Sequence, residues 1–123
     1  MFKQAYATIA VSDFERAKRF YEEKLGLTPS EELGFGARYQ VGSTSFLLYE
    51  SSFAGTAQST AASFAVDNLD ETMAQLRARG VVFEEYDFPG LKTVNGVADM
   101  EGIRSAWFKD SEGNILALGE EPA

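Results

Sequence analysis

Residues 7–27 read ATIAVSDFERAKRFYEEKLGL, and within this stretch the hydrophobic pattern changes from a strand period to a helix period. Residues 4–11 alternate between apolar and polar positions in the manner of a strand. Residues 13–25 then place apolar side chains on one helical face and charges on the other. The apolar face consists of Phe14, Ala17, Tyr21 and Leu25. The stretch therefore predicts a strand that leads directly into an amphipathic helix.

The flanking residues predict where this helix begins and ends. Ser12 and Glu15 have the spacing of a capping box, and Gly26 stands where a helix would terminate. Three further extended runs follow, with short turn signals between them. They cover residues 27–33, 36–41 and 45–50. The first half of the chain is therefore predicted to have the order βαβββ.

The second half repeats this order after a small, polar connector at residues 51–59. It contains a strand, a helix that ends at Gly80, an extended run, a long irregular segment and two more strands. These elements are predicted at residues 61–66, 68–79, 81–86, 87–102, 103–109 and 114–118. The second half is therefore also βαβββ, with one long loop.

Two alignments of the chain with itself support an internal duplication. A shift of 55 residues places ATIAV at residues 7–11 over ASFAV at residues 62–66. A shift of 69 places FLLY at residues 46–49 over ILAL at residues 115–118. The second half is thus longer by about 14 residues, which matches the long segment 87–102.

Composition limits the classes to which the protein can belong. The 123 residues include no His and no Cys, which excludes disulfides, thiolate metal sites and thiol nucleophiles. The net charge of −8 disfavours nucleic acid and anionic lipid as partners; it favours either simple solubility or a cationic ligand. No apolar run approaches the roughly 20 residues that span a bilayer. We therefore expect one cytoplasmic domain over residues 1–123, with module one at residues 1–58 and module two at residues 59–123.

Three stretches in this order resemble the vicinal oxygen chelate superfamily of glyoxalases, bleomycin resistance proteins and extradiol dioxygenases. They are AVSDFERAKRFYEEKLGL at residues 10–27, FAVDNLDETMAQLRARGV at residues 64–81 and WFKDSEGNILAL at residues 107–118. The last is close to the family's D-P-D-G-N ending, with Ser111 in place of proline. The resemblance implies an α+β fold in which two βαβββ modules form a curved mixed sheet around a cup. Helices lie on the convex side in such folds, and the proteins are commonly homodimers.

The resemblance also locates the positions at which the family carries metal ligands. Here these positions hold Tyr6, Leu48, Ala61 and Ala117. A two-residue shift would bring Glu50 to the fourth-strand position, but a catalytic metal needs about three protein ligands. The resemblance therefore predicts no metal and no other cofactor, and it argues against glyoxalase I or dioxygenase activity.

Strand alternation predicts which side chains face the cup. The positions in phase with the vacated ligand sites are Tyr6, Thr8, Ala10, Phe46, Leu48, Glu50, Ala61, Ser63, Ala65, Ile115 and Ala117. The opposite set, predicted to pack under helices, is Ile9, Val11, Leu47, Phe64, Val66, Leu116 and Leu118. The small residues of the first set leave volume for a ligand between the flat walls of Tyr6 and Phe46. The alternative is a closed core that the aromatic side chains fill.

Four further features bear on the site. Trp107, the only tryptophan, is predicted to face the cup and to stack on a planar or cationic ligand, or else to pack at a dimer seam or cavity rim. Arg38 and Tyr39 lie on opposite faces of one strand, and their directions stay open. Glu50 is a candidate acid or base if it points inward, and a solvated strand end otherwise. The segment 87–102 is either a lid over the cup or a contact with a partner subunit.

Three functions fit these features. The first is metal-independent binding, with sequestration or antibiotic resistance as its purpose, of a small planar or cationic molecule in the cup of a homodimer. The expected ligand-binding residues are Tyr6, Thr8, Phe46, Leu48, Glu50, Ala61, Ser63, Trp107 and Ala117. The second is a cofactor-free lyase, isomerase or hydrolase that uses Tyr6, Glu50, Asp99 or Glu101 as acid or base. The third is a vestigial member that binds no small molecule.

Overall fold

The computed structural model describes residues 1–120, so residues 121–123, the end of the predicted module two, lie outside the described residues. Its first half has the predicted order of one helix and four strands. These elements are β1 (Ala7–Val11), α1 (Phe14–Glu23), β2 (Glu31–Leu33), β3 (Gly36–Val41) and β4 (Thr44–Glu50). Strand β3 matches its prediction at both ends, whereas β1 and β2 begin later than predicted.

The second half contains one helix and six strands, two of which are very short. The elements are β5 (Thr60–Ala65), α2 (Leu69–Ala78), β6 (Asp87–Phe88), β7 (Leu91–Lys92), β8 (Ala98–Met100), β9 (Ile103–Lys109) and β10 (Ile115–Glu120). The long segment predicted as irregular therefore contains a small hairpin, β6 and β7, and the edge strand β8.

The two halves build sheets with the same strand order. The first sheet runs β1-β4-β3-β2 and the second runs β5-β10-β9-β8. In each sheet the terminal pair, β1 with β4 or β5 with β10, is parallel and the other pairs are antiparallel. Two βαβββ modules with mixed sheets make an α+β fold, so the predicted fold class is confirmed.

The structure corrects one predicted strand. Residues 81–86 do not form a full strand, although Phe83 makes an antiparallel bridge with Phe108. The neighbouring backbone N–H of Glu84 donates to the carbonyl of Trp107 at 2.8 Å. Strand β8 pairs with the other end of β9. The extra residues of module two therefore divide the edge of the second sheet between two segments.

Both helices begin at equivalent residues. The Asp13 side chain accepts a hydrogen bond from the N–H of Arg16 at 3.1 Å, and Asn68, 55 positions later, accepts from Glu71 at 3.0 Å. The predicted capping box with Ser12 is wrong, because the Ser12 hydroxyl donates to a residue of module two instead. A side-chain oxygen at the position before each helix satisfies an N–H that the first turn leaves without a partner.

The main core lies between the helices and one face of each sheet, here called the helix face. Tyr21 of α1 packs there against Tyr39 and Phe46, with ring centroids 5.8 and 5.7 Å apart. On the second sheet, Phe108 and Leu118 are buried in the same cluster. The opposite face of each sheet, which carries no helix, is called the concave face.

A buried glutamate joins the two modules. The Glu112 side chain is 0% exposed, and its oxygens accept hydrogen bonds of 2.8 to 3.0 Å from Ser12, Asp13 and Arg16 of module one. Burial alone would raise the pKa of this carboxyl, but the hydrogen bonds from Arg16, Ser111, Asp13 and Ser12 outweigh it and lower the pKa from 4.5 to about 2. An ionised carboxylate therefore holds the start of α1 against the turn between β9 and β10.

The same turn anchors the end of β1 and the connector. The Asn114 amide donates to the carbonyl of Ala10 at 2.7 Å and accepts from the N–H of Gly55 at 3.1 Å. The Asp110 carboxylate accepts from the Tyr21 hydroxyl at 2.8 Å, and burial together with this contact raises the pKa of Tyr21 well above its usual range. The motif that resembles the family's ending thus positions both modules. Within residues 1–120, no helix is long and apolar enough to cross a membrane.

Candidate ligand-binding site

A cavity of about 720 Å³ lies on the concave face of the second sheet. Its floor is formed by Trp107 and Lys109 of β9 and by Ile115 of β10. The connector at residues 55–60 forms one wall, and the segment from Glu84 to Leu91 supplies the other. The concave face is available for a cavity because the helices cover only the opposite face.

Aromatic side chains dominate one side of this cavity. Trp107 is only 8% exposed, and its ring lies 5.6 Å from that of Tyr86 at an angle of 75°. Tyr86 is in turn 5.9 Å from Phe88. Burial raises the pKa of Tyr86, and the nearby charge of Glu84 adds to this effect. The cavity therefore offers flat, apolar surfaces and a hydroxyl that stays protonated at neutral pH.

The segment at residues 86–93, here called the arm, has its two ends joined by the hydrogen bonds of one threonine. The buried Thr93 hydroxyl accepts from the N–H of Tyr86 at 2.8 Å, and the Thr93 N–H donates to the Tyr86 carbonyl at 2.9 Å. The hairpin at the tip of the arm turns at Gly90, where φ is +88°. These bonds place Phe88 and Leu91 on the cavity wall.

The structure brings three of the predicted site residues onto one surface. Trp107 and Ala117 are register partners in β9 and β10, and Ser63 of β5 is the parallel partner of Ala117. All three lie on the concave face, as strand alternation predicts. Trp107 lines the cavity itself, whereas Ser63 lines a neighbouring cavity of about 480 Å³ near the start of β1.

Other predicted residues lie on the concave face of the first sheet. Thr8 of β1 is exposed, and Tyr6, just before β1, is 45% exposed. The Arg38 guanidinium lies 5.0 Å from the centre of the Tyr6 ring and 3.6 Å from a Glu31 carboxylate oxygen. Arg38 therefore faces the concave side and Tyr39 the helix side, which resolves the open question for this strand.

The predicted inward direction of Phe46 and Leu48 is wrong. Leu48 is the register partner of Ile9, and both are buried on the helix face. Phe46 stacks on Tyr39 in the same core, with ring centroids 5.0 Å apart, and it also lines the smaller cavity. Leu47, placed under the helices by the prediction, is the partner of Thr8 on the concave face.

A register error explains this result. Ile9 pairs with Leu48, and Phe64, its equivalent 55 positions later, pairs with Leu118. Leu48 therefore corresponds to Leu118, which is 70 positions later, rather than to Ala117 at the assumed 69. The register partners Ala37 and Leu48 are 11 positions apart, whereas the equivalent partners Ala106 and Leu118 are 12 apart, so the second hairpin is one residue longer between equivalent positions. A shift of one residue turns every side chain to the opposite face.

Glu50 and Ala61 are more exposed to solvent than predicted. Glu50 is exposed at the end of β4 and is the register partner of Val11, whose side chain belongs to the helix face. Of its two predicted alternatives, the structure therefore shows the solvated strand end and not the inward direction. Ala61 is also exposed and lies where the register between β5 and β10 shifts.

Sequence reasoning missed most of the cavity walls. The connector was interpreted only as a link, yet Gly55 to Thr60 lines the cavity because Asn114 holds Gly55 against the turn. Tyr86 was assigned to a strand without a role. The sequence does contain a signal for Lys109 as a cavity residue, since Lys109 lies on the same strand face as Trp107.

The vacated ligand positions do not form a metal site. Tyr6 supplies a phenol, and Ala61, Ala117 and either Leu47 or Leu48 supply aliphatic groups. Among residues 1–120, no group of three or more His, Cys, Asp and Glu side chains is arranged to hold a metal ion. The residues present therefore do not fit the metal that the resemblance implies.

Comparisons with known proteins agree with the fold. The family model of the glyoxalase/bleomycin resistance protein/dioxygenase superfamily matches residues 3–118 of the sequence. A glyoxalase/bleomycin resistance protein from Catenulispora acidiphila is similar in structure, with a TM-score of 0.72 and 24% identity over 97% of this chain and 98% of that chain. No curated protein matches the sequence.

Two further solved structures have the same fold. TnmS3, an antibiotic binding protein from a Streptomyces species, gives a TM-score of 0.72 with 22% identity over 99% of both chains. FosX, a fosfomycin resistance protein from Listeria monocytogenes, gives 0.69 with 17% identity over 99% of this chain and 95% of that chain. At these identities the structural similarity establishes the fold alone.

Proposed function

The chain belongs to the glyoxalase/bleomycin resistance protein/dioxygenase superfamily, and we propose that it binds a small, planar organic molecule without a metal. The observation that carries this proposal is the cavity of about 720 Å³ beside Trp107. Sites for small molecules have this size, are mostly apolar and contain a few polar groups. Neighbours described as an antibiotic binding protein and a fosfomycin resistance protein support sequestration or resistance as the purpose.

The shape of the aromatic wall favours a flat ligand. Trp107, Tyr86 and Phe88 all line the cavity, and the Tyr86 ring contacts the other two at angles of 75° and 60°. Aromatic rings gain about 0.5–1.5 kcal/mol from stacked or edge-to-face contacts beyond the area that they bury. A planar conjugated molecule makes such contacts with several of these rings at once.

Binding is proposed rather than catalysis because the candidate acids and bases lie elsewhere. Glu50, Asp99 and Glu101 are all absent from the residues that line the cavity. Within residues 1–120, Glu84 is the one carboxylate on that lining. A general acid or base must come within hydrogen-bond reach of the reacting group, which these three carboxylates do not do in this cavity.

We further propose a cytoplasmic homodimer in which a second copy covers the concave face of the first sheet. No residue of β1 to β4 lines the 720 Å³ cavity, so the first sheet does not contribute to it within one chain. That sheet nevertheless exposes Tyr6 and Thr8, and Phe35 in the turn between β2 and β3 is 59% exposed. Covering this face in a dimer would remove the exposed aromatic surface from water.

The test of binding uses purified protein and a panel of aromatic antibiotics and metabolites. A binder is expected to raise the melting temperature, by mass action, and to change the fluorescence of Trp107. Trp107→Leu should weaken its affinity roughly three- to ten-fold by calorimetry, since stacking is lost. Phe53→Ala, which removes an exposed aromatic side chain outside the cavity, is the matched control and should bind normally.

Metal dependence is tested in the same assay. EDTA and added divalent metal ions are expected to leave the melting temperature and the ligand affinity unchanged. A stabilisation by metal that EDTA reverses would contradict metal-independent binding. Ligands that stabilise the protein without affecting Trp107 would instead contradict the proposed location of the site.

A further inference from the structure

We infer that the ligand of this cavity is amphoteric, with an acidic and a basic group close together on an aromatic body, and that Lys109 and Glu84 select it. This inference rests on the proposed function and names the class of ligand. Among residues 1–120, Lys109 is the only cation and Glu84 the only anion that line the cavity. Lys109 lies on the same strand as Trp107, and the backbone N–H of Glu84 donates to the Trp107 carbonyl.

The two charges are available to a ligand because they bind each other weakly. The Lys109 ammonium nitrogen is 3.9 Å from a Glu84 oxygen, at the limit of an ion pair. The two side chains are 56% and 33% exposed. Exposed pairs of this kind change an equilibrium by about five-fold at most. A ligand therefore loses little by separating them.

Opposite charges at this spacing favour one ligand class over the simpler ones. A purely cationic ligand attracted by Glu84 meets Lys109 about 4 Å away, and a purely anionic one attracted by Lys109 meets Glu84. Like charges at that distance repel each other. A ligand carboxylate beside Lys109 and a ligand ammonium beside Glu84 place each protein charge next to a ligand charge of the opposite sign. The cation that the net charge of −8 suggested is therefore not the best match to the cavity.

The arrangement also orients the ligand. Lys109 and Trp107 are two residues apart on β9, so their side chains leave the sheet on the same face. A ligand whose charged groups bind Lys109 and Glu84 places its rings over Trp107 and against Tyr86 and Phe88. The chemistry is that of an aromatic α-amino acid or of a larger conjugated molecule with the same two groups.

The experiment uses four matched probes: tryptophan, indolepropionate, which lacks the ammonium, tryptamine, which lacks the carboxylate, and ethylindole, which lacks both. Calorimetry and ligand-observed NMR measure their affinities for the full chain. Tryptophan is expected to bind roughly two- to five-fold more tightly than either singly charged probe. Ethylindole is expected to bind no more tightly than they do.

Two variants assign the effect to the named charges. Lys109→Gln should remove the advantage of the carboxylate, and Glu84→Gln that of the ammonium, while neither changes the affinity for ethylindole. Lys3→Gln and Glu85→Gln remove exposed charges of the same sign that lie outside the arm and do not line the cavity. These two controls should bind all four probes as the original chain does.

Separate outcomes overturn the inference and the proposed function. If tryptamine or indolepropionate binds as tightly as tryptophan, or if none of the four binds while the aromatic panel still does, the amphoteric ligand is wrong and binding stands. If neither the probes nor the panel binds, both proposals fall. An equal loss of all probes in Lys109→Gln would also overturn the selective role of Lys109.

Discussion

At the scale of single residues, Glu112 shows how a buried charge contributes to stability. Its carboxylate loses all contact with water, which by itself costs free energy. Module one replaces the water with backbone N–H groups, a hydroxyl and a guanidinium, all within 3.0 Å. The net effect favours the ionised form, because its pKa is lowered to about 2. Glu112 is therefore a structural residue of the joint between modules.

Replacing Glu112 tests this role. Glu112→Gln keeps the size and one acceptor but removes the charge, and it should lower the free energy of unfolding by about 1–3 kcal/mol in urea titrations at neutral pH. Glu23→Gln, which neutralises an exposed glutamate at the end of α1, should change it by less than about 0.5 kcal/mol. Equal stabilities for both variants would contradict the role.

The same variant makes a prediction about pH. A group whose pKa is lowered on folding contributes stability that is fully present above its unfolded value and is lost as the pH falls through its folded value. For Glu112 this window extends from 4.5 down to about 2. The stability difference between the original chain and Glu112→Gln should therefore shrink across that window. A difference that stays constant would show that the charge is not responsible.

At the scale of elements, the arm is the feature whose position decides the cavity. Residues 86–93 form a hairpin whose two ends are joined by Thr93, because its side chain and backbone both bond to Tyr86. Between these ends the arm has two short strands and a glycine turn, and its Tyr86 and Leu91 pack against the cluster around Trp107. The side chain of one buried threonine therefore helps to determine where the aromatic wall lies.

Thr93→Val tests the arm. It has nearly the same shape but leaves the Tyr86 N–H without its acceptor, so it should cost about 1–2 kcal/mol of stability. It should also weaken any ligand that contacts Phe88, as calorimetry can measure. Thr93→Ser retains the hydroxyl and is expected to preserve most of both properties. Normal binding by Thr93→Val would show that the arm holds its place without this bond.

The register of β4 is the other lesson at this scale. Alternation along the strand was correct, but its phase was copied from β10 through an assumed spacing. The hairpin of β9 and β10 is one residue longer between equivalent positions than that of β3 and β4, and this reversed the phase. Within one strand the pattern FLLY is apolar at every position, so it contains no signal that distinguishes its two faces.

At the scale of the whole molecule, the two concave faces are not equivalent. The second sheet has a cavity with walls, whereas the first exposes Tyr6 and Thr8 and has no arm over it. The hairpin belongs to the second module alone because its extra residues lie there, whereas the connector links the two modules. The duplicated modules have therefore acquired different surfaces.

The proposed homodimer makes a prediction at this scale. Light scattering should give twice the 13.5 kDa of the chain. Thr8→Arg places a charge on the concave face of the first sheet and should shift the protein towards monomers, because an unpaired buried charge is costly. Val82→Arg adds the same charge at an exposed site beside α2 and should not. A monomer for the original chain at micromolar concentration would contradict the dimer.

The amino-acid sequence by itself determined the order of the elements in the first half, the repeat of a strand and helix in the second, and the fold class. These follow from the period of apolar residues and from glycines at helix ends, which are local properties that each segment carries alone. The sequence also showed that no imidazole or thiol exists anywhere in the chain. Trp107 on the concave face was predictable because Phe108 beside it resembles the helix-side position of the family motif.

Only the tertiary structure decided which side chains surround the cavity. Phe46 and Leu48 turned to the core because strand phase depends on the length of a distant turn. Tyr86 joined the site through Thr93, and the connector did so through Asn114 and Gly55. Contacts between residues far apart in the chain depend on register, turn length and packing together, and no local pattern encodes their combination. The fold therefore follows from local patterns along the chain, whereas the site depends on contacts between segments that are distant in the chain.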